Sequence, residues 1–356
     1  MKKSVLSLLF LLSLTATYAQ PQNYDNYEVQ IPPAFELANI MVALTDFGKA
    51  DDNIVRKRTL YHEAVMDHFS PYTNHPAIRQ LNILFSNNKG QNYRNYHHWR
   101  TGAYGALFED DKLQFPLRIS DNLFKKHRKL VEDFAQTSAF LKFYQKQKPL
   151  YQKYMDKYRE VMPIKDMWQW MESQFPARYD SYKIVMSPLI YGYHNTFKMK
   201  GSKETVMVVD VPWTIMTDKE ISVTNQASLV RVVLTEIDHN YVNPVSNASK
   251  KEIREALEPL ECWNQNNPTY NSPISTFNEY MTWAVFSLYL REKYDNEVFE
   301  KVNESQARFM VERRGFVRFT DFNDYLLELY AKKQPHQKIT DLYPQVIKWF
   351  SEQDCK

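Results

Sequence analysis

The chain has 356 residues, with 45 Lys and Arg against 42 Asp and Glu, a formal net charge of +3, and 24 Tyr, 21 Phe and 7 Trp beside only 7 Gly. Charge this nearly balanced gives no electrostatic case for nucleic acid as a partner. The length is enough to bury a sizeable core, and many aromatics with few glycines favour helical packing over a turn-rich β architecture.

Residues 1–19 read as an export signal: Lys2-Lys3, an apolar run from Val5 to Leu14, and a small-residue exit at Thr17-Tyr18-Ala19. The expected address is therefore the periplasm or the exterior. That apolar run is too short to span a bilayer, and no later stretch approaches the roughly 20 apolar residues of a spanning helix, so no membrane span is expected. No cysteine follows the signal directly, which argues against a lipid anchor. Cys262 and Cys355 are the only cysteines, and an oxidising compartment would let them pair.

Residues 20–175 read as a helical region. Apolar residues recur at three- and four-residue spacing in Phe35, Leu37, Ile40, Met41 and Leu44, and again in Leu123, Phe124, Leu130 and Phe134. Turn signals at Ser70-Pro71, His75-Pro76 and Met162-Pro163 divide this region into five to seven expected helices. The Lys/Arg and Tyr interleaved over residues 142–159 read as a solvated helix face.

Residues 176–356 change texture. The β-branched runs 182–191 and 204–211 look like neighbouring strands, and Pro188 places the first at an edge or at a bulge. A helix is expected from about residue 225 until Asn243-Pro244 stops it, with further helices near 249–260, 275–294, 297–314, 319–331 and 339–353. The two regions are expected to pack as one compact unit.

The helix from about residue 225 carries Thr235-Glu236-Ile237-Asp238-His239, one residue short of the H-E-x-x-H pattern that places two imidazoles one turn apart on a metal while Glu activates water. Thr235, Glu236 and His239 share a helical stripe, whereas Asp238 lies about 100° away and Leu229, Val233, Ile237 and Tyr241 form a separate apolar stripe. A neutral hydroxyl at 235 is a weak zinc ligand. Two metal readings stand: a weakly held ion with Glu236 as base, or a harder site with Glu236 and His239 both as ligands, suiting manganese or iron(II) as readily as zinc. Downstream, Glu279 fits either a ligand or the capping box Thr276-Phe277-Asn278-Glu279. His62 and His68, six apart, point to opposite helix faces, and His97-His98 diverge, so neither pair reads as a chelate.

The order of parts, with strands at 182–196 and 206–212, the TEIDH helix and then Asn278-Glu279, resembles the gluzincin type of zinc metallopeptidase. The extended run T-E-x-D-H-N-Y-V-N-P resembles most closely a group of secreted bacterial proteins of unknown function. The resemblance implies an α+β, predominantly α-helical, zincin-like fold with a small sheet packed on the motif helix. It implies His239 and Glu279 as metal ligands, Glu236 as general base, a strand over 184–194 that aligns an extended peptide, and His194 as a donor to the developing oxyanion. At the first-ligand position the transfer fails, because Thr235 stands there. Two functions follow as expectations: zinc-dependent hydrolysis of a peptide or protein substrate, or a catalytically inactive scaffold binding peptide or glycan.

Overall fold

The computed structural model describes residues 22–199 and 201–354; residues 1–19, expected to be an export signal, and Cys355 lie outside the described residues. Cys262 is disulfide-bonded. The architecture is α+β and mostly helical, with nine α-helices between Pro33 and Gln174, more than the five to seven expected. Short ones such as Asp46–Ala50 and Leu123–Lys126 offer too few turns for a periodic pattern to reveal them.

The first strand, β1 (Tyr27–Gln30), precedes the helices and was not foreseen in the helical region 20–175. That region also holds a small antiparallel hairpin, β2 (Leu107–Glu109) with β3 (Lys112–Gln114). The main sheet adds β4 (Ser181–Ser187), β5 (Asn195–Lys198) and β6 (Glu204–Asp210) in the order β1-β4-β6-β5. β1 and β6 both run parallel to β4, while β5 is antiparallel to β6. The two strand-like runs are neighbours, as their composition suggests. The edge assignment needs correction: β4 is central, Pro188 lies just past its end, and the edges are β1 and β5. A central strand sealed on both faces reads as a continuous apolar run, which is how Tyr182, Ile184, Val185 and Met186 are buried.

One hydrophobic core runs from Val29 through Leu37, Trp168, Tyr182 and Tyr241 to Phe350, so the N-terminal and C-terminal regions share their interior. Trp168 stacks on Tyr182 with ring centroids 4.1 Å apart, joining the Ile164–Gln174 helix to the sheet. No helix among the described residues is long and apolar enough to cross a membrane.

The motif helix spans Val223–Ala248 and continues through Pro244 instead of stopping there. Proline lacks the N–H that would bond the carbonyl four residues earlier, here that of Asn240. Tertiary groups take its place: the Tyr179 hydroxyl donates to the Asn240 carbonyl at 2.9 Å and Lys198 Nζ at 3.4 Å. The side chain of Asn240 donates to Thr196 on β5 at 2.8 Å and to Thr205 on β6 at 2.7 Å, tying the helix to the sheet.

Candidate functional site

Ser222 caps the motif helix by accepting from the Asn225 amide at 3.2 Å. The downstream helix, Pro273–Lys293, opens on a reciprocal Ser272 and Ser275 capping box with Pro273 in the first turn. Thr276 is therefore inside the helix, and its hydroxyl donates to the Tyr270 carbonyl at 2.9 Å, so the capping reading of Glu279 does not hold. Glu279 instead faces the motif helix: its Oε1 lies 3.5 Å from His239 Nε2, and the carboxylate is only 8% exposed. The His239 side chain keeps 21% exposure, the opening of the site to solvent.

The second oxygen of Glu279 is taken. Arg314 reaches Oε2 at 2.8 Å and also donates to the Tyr270 hydroxyl. Nothing in the sequence near Glu279 announces this arginine, which sits past the end of the Asn296–Glu312 helix. Gly315 sets it there: with φ at +76°, a conformation glycine adopts without strain, it turns the chain out of the helix. The Asn267 amide then holds the Arg314 carbonyl at 3.0 Å. The guanidinium rests 4.9 Å from the ring centroids of both Tyr270 and Trp283.

Thr235 is turned away from any ligand role, its hydroxyl donating to the Arg231 carbonyl at 2.8 Å within its own helix. Glu236 is partly buried between these groups. Burial is the largest influence on its carboxyl and raises its pKa, the charge of Glu279 adds to the rise, and His239, His194 and Arg314 oppose it. His194 immediately precedes β5, with Nε2 3.3 Å from Asp210 Oδ1, and the other oxygen of Asp210 is ion-paired with Arg56. Sequence reading assigned no role to Arg56, Asp210, Tyr270 or Arg314, because their partners lie 150 or so residues away or on other elements.

β5 runs beside the motif helix, from His194, whose charge bears on Glu236, to Lys198, which meets Asn240. β5 pairs with β6 on one side only, and among the described residues no strand pairs with its other edge. A groove of about 240 Å³ lies along that edge, lined by Phe197, Lys198, His97 and His98 among others. Burial, more than its neighbours Arg100 and His98, pushes the His97 imidazole down to about 4. The peptide-aligning role expected of residues 184–194 has no free edge in β4, which is paired on both sides; the open edge is that of β5.

Asp238 lies on the other face of the motif helix, fully buried, with neither carboxyl oxygen hydrogen-bonded among the described residues. Burial, reinforced by Glu279 and Glu236, raises its pKa well above the usual carboxylate range. A raised folded-state pKa contributes stability at low pH that is lost as pH rises towards it, at about 1.4 kcal/mol per unit. Asp238→Asn removes that cost, and thermal melts at pH 8 are expected to rise by about 2–4 °C for each kcal/mol relieved.

No group of three or more His, Cys, Asp and Glu among the described residues is disposed to hold a metal ion. No curated protein matches the chain, and no solved structure does. One family does match, over residues 28–349, and by that match the chain belongs to the family described as "Domain of unknown function (DUF4932)".

Proposed function

We propose that this is an exported peptide-binding protein built on a zincin-like scaffold, with Arg314 standing where a metallopeptidase carries its metal ion. The observation that carries this reading is the Glu279 carboxylate, shared between His239 at 3.5 Å and Arg314 at 2.8 Å while the Thr235 hydroxyl is spent on its own helix. A catalytic zinc site takes three protein ligands, and a fixed cation beside them repels the metal and weakens its binding. Here one ligand position is a committed hydroxyl, and the charge that would balance Glu279 is supplied by a guanidinium. With Thr235 committed to its own helix and Arg314 on Glu279, the donor set does not fit zinc.

The zincin-like assignment is supported by the order of parts: a mixed sheet with one antiparallel edge strand, a motif helix running beside that strand, and a downstream helix delivering Glu279. The free edge of β5 supports extended peptide as the ligand. A strand added there satisfies its main-chain groups through backbone hydrogen bonds, on a strand whose Thr196 is tied to Asn240 of the motif helix. A second reading, hydrolysis by an ion held on His239 and Glu279 with Glu236 as base, is favoured by the 3.5 Å approach of those two side chains.

Fluorescence anisotropy with an N-terminally labelled pool of random decapeptides, together with mass spectrometry of the same mixture, separates the two. Peptide binding is expected at a micromolar Kd of the order of transient recognition, with no fragments and no change on Glu236→Gln. Fragments that appear with zinc and vanish in Glu236→Gln would establish hydrolysis in place of binding.

A further inference from the structure

Arg231 lies one helical turn before Thr235, and its guanidinium has neither a carboxylate nor a hydrogen-bond partner among the described residues. It rests 5.0 Å from the ring centroid of Trp283 and 5.6 Å from that of Phe309, two rings stacked with centroids 5.6 Å apart. Trp283 is one turn beyond Glu279 on the downstream helix and is the ring Arg314 also rests on, so the two arginines flank the same indole. Phe309 is 40% exposed, which leaves this side of the pair open to solvent.

The two arginines differ in one respect. Glu279 and Glu236 both act on Arg314, whereas among the described residues the charged group bearing on Arg231 is Arg314 itself. Burial, with that like charge, pushes the Arg231 guanidinium down to about 10. Arg231 is partly buried, and a guanidinium fixed by packing against two aromatic rings is preorganised for a planar, bidentate anion. One unmatched positive charge suits one monoanion, a carboxylate better than a doubly charged phosphate.

We propose that Arg231 is the receptor for the ligand's carboxylate, the free C-terminal carboxylate of a bound peptide. This rests on the peptide-binding reading and narrows it to peptides bound by their carboxyl end. In that arrangement Trp283 and Phe309 pack the stem of the last residue, and Arg314, committed to Glu279, adds field without a hydrogen bond.

The test compares the labelled decapeptide pool carrying a free carboxyl terminus with the same pool amidated, on wild type, Arg231→Gln and Arg231→Lys, with sodium acetate and inorganic phosphate as competitors. The free-acid pool is expected to bind wild type about tenfold or more tighter than the amidated pool, as a charge-assisted bidentate pair requires. Arg231→Gln should erase that ratio and leave the amidated pool unaffected; Arg231→Lys should retain part of it. Arg231→Gln should also keep the wild-type circular dichroism spectrum and a cooperative melt without ligand, and this excludes misfolding as the cause. Both pools binding wild type equally would overturn the inference and leave the peptide-binding reading standing. Neither pool binding would remove both. Phosphate competing better than acetate would overturn the carboxylate assignment.

Discussion

Thr235→His combined with Arg314→Met is expected to convert the site into a zinc site. The imidazole placed at 235 joins His239 and Glu279 as a third donor, and the Met substitution frees Glu279 Oε2 and removes a fixed cation. A unit charge about 4 Å away at an effective dielectric of about 20 is worth about 4 kcal/mol, so removing Arg314 alone is expected to strengthen zinc binding on the order of a thousandfold in the Thr235→His background. Calorimetric zinc titration of wild type, both single variants and the double variant measures this. The double variant should bind with a Kd well below either single variant. Equal affinity in Thr235→His and the double variant would mean that Arg314 does not occupy the cation's place. Arg314→Met alone leaves Glu279 without its partner, and the loss of about 3–5 kcal/mol that follows from stranding a buried charge should show as a lowered melt that zinc does not rescue.

Glu36→Gln is expected to stabilise the protein at alkaline pH. Glu36, on the Pro33–Leu44 helix, is fully buried, and the Tyr61 hydroxyl donates to its Oε1 at 2.6 Å. Burial, opposed by hydrogen bonds from Tyr61 and Ser187, pushes its carboxyl up from 4.5 to about 7. Because the folded-state pKa is raised, its contribution is fully present below pH 4.5 and lost as pH rises through 7. That rise is worth about 3 kcal/mol at about 1.4 kcal/mol per unit. Glu36→Gln keeps the acceptor for Tyr61 and cannot ionise. Chemical denaturation should therefore show the variant about 3 kcal/mol more stable than wild type near pH 8 and nearly equal to it near pH 4. A difference that does not change between those two conditions would exclude an ionising Glu36.

Much of this architecture is legible in local pattern. The motif helix, the helices after it and the pairing of the 182–191 and 204–211 runs follow from periodicity and β-branched composition. What the pattern hides is whatever depends on distant partners. Pro244 signals a stop, but the Tyr179 hydroxyl, 61 residues away from Asn240, takes over the orphaned carbonyl, and the helix goes on. β1 is four residues whose strand character comes from pairing with β4, far along the chain. Glu279 matched two local patterns equally well, and only the true cap at Ser272 and the approach of His239 separate them. Arg314 and Arg231 had no signal at all: an arginine at a helix end and another on a helix face look like solvated charge until the aromatic rings and carboxylates around them are known.

The most direct measurement of the central claim is the Kd of the labelled decapeptide pool for wild-type protein, determined once in excess EDTA and once in free zinc. If Arg314 serves in place of a metal ion, the two values agree. Binding that disappears in EDTA and returns with zinc would contradict the account.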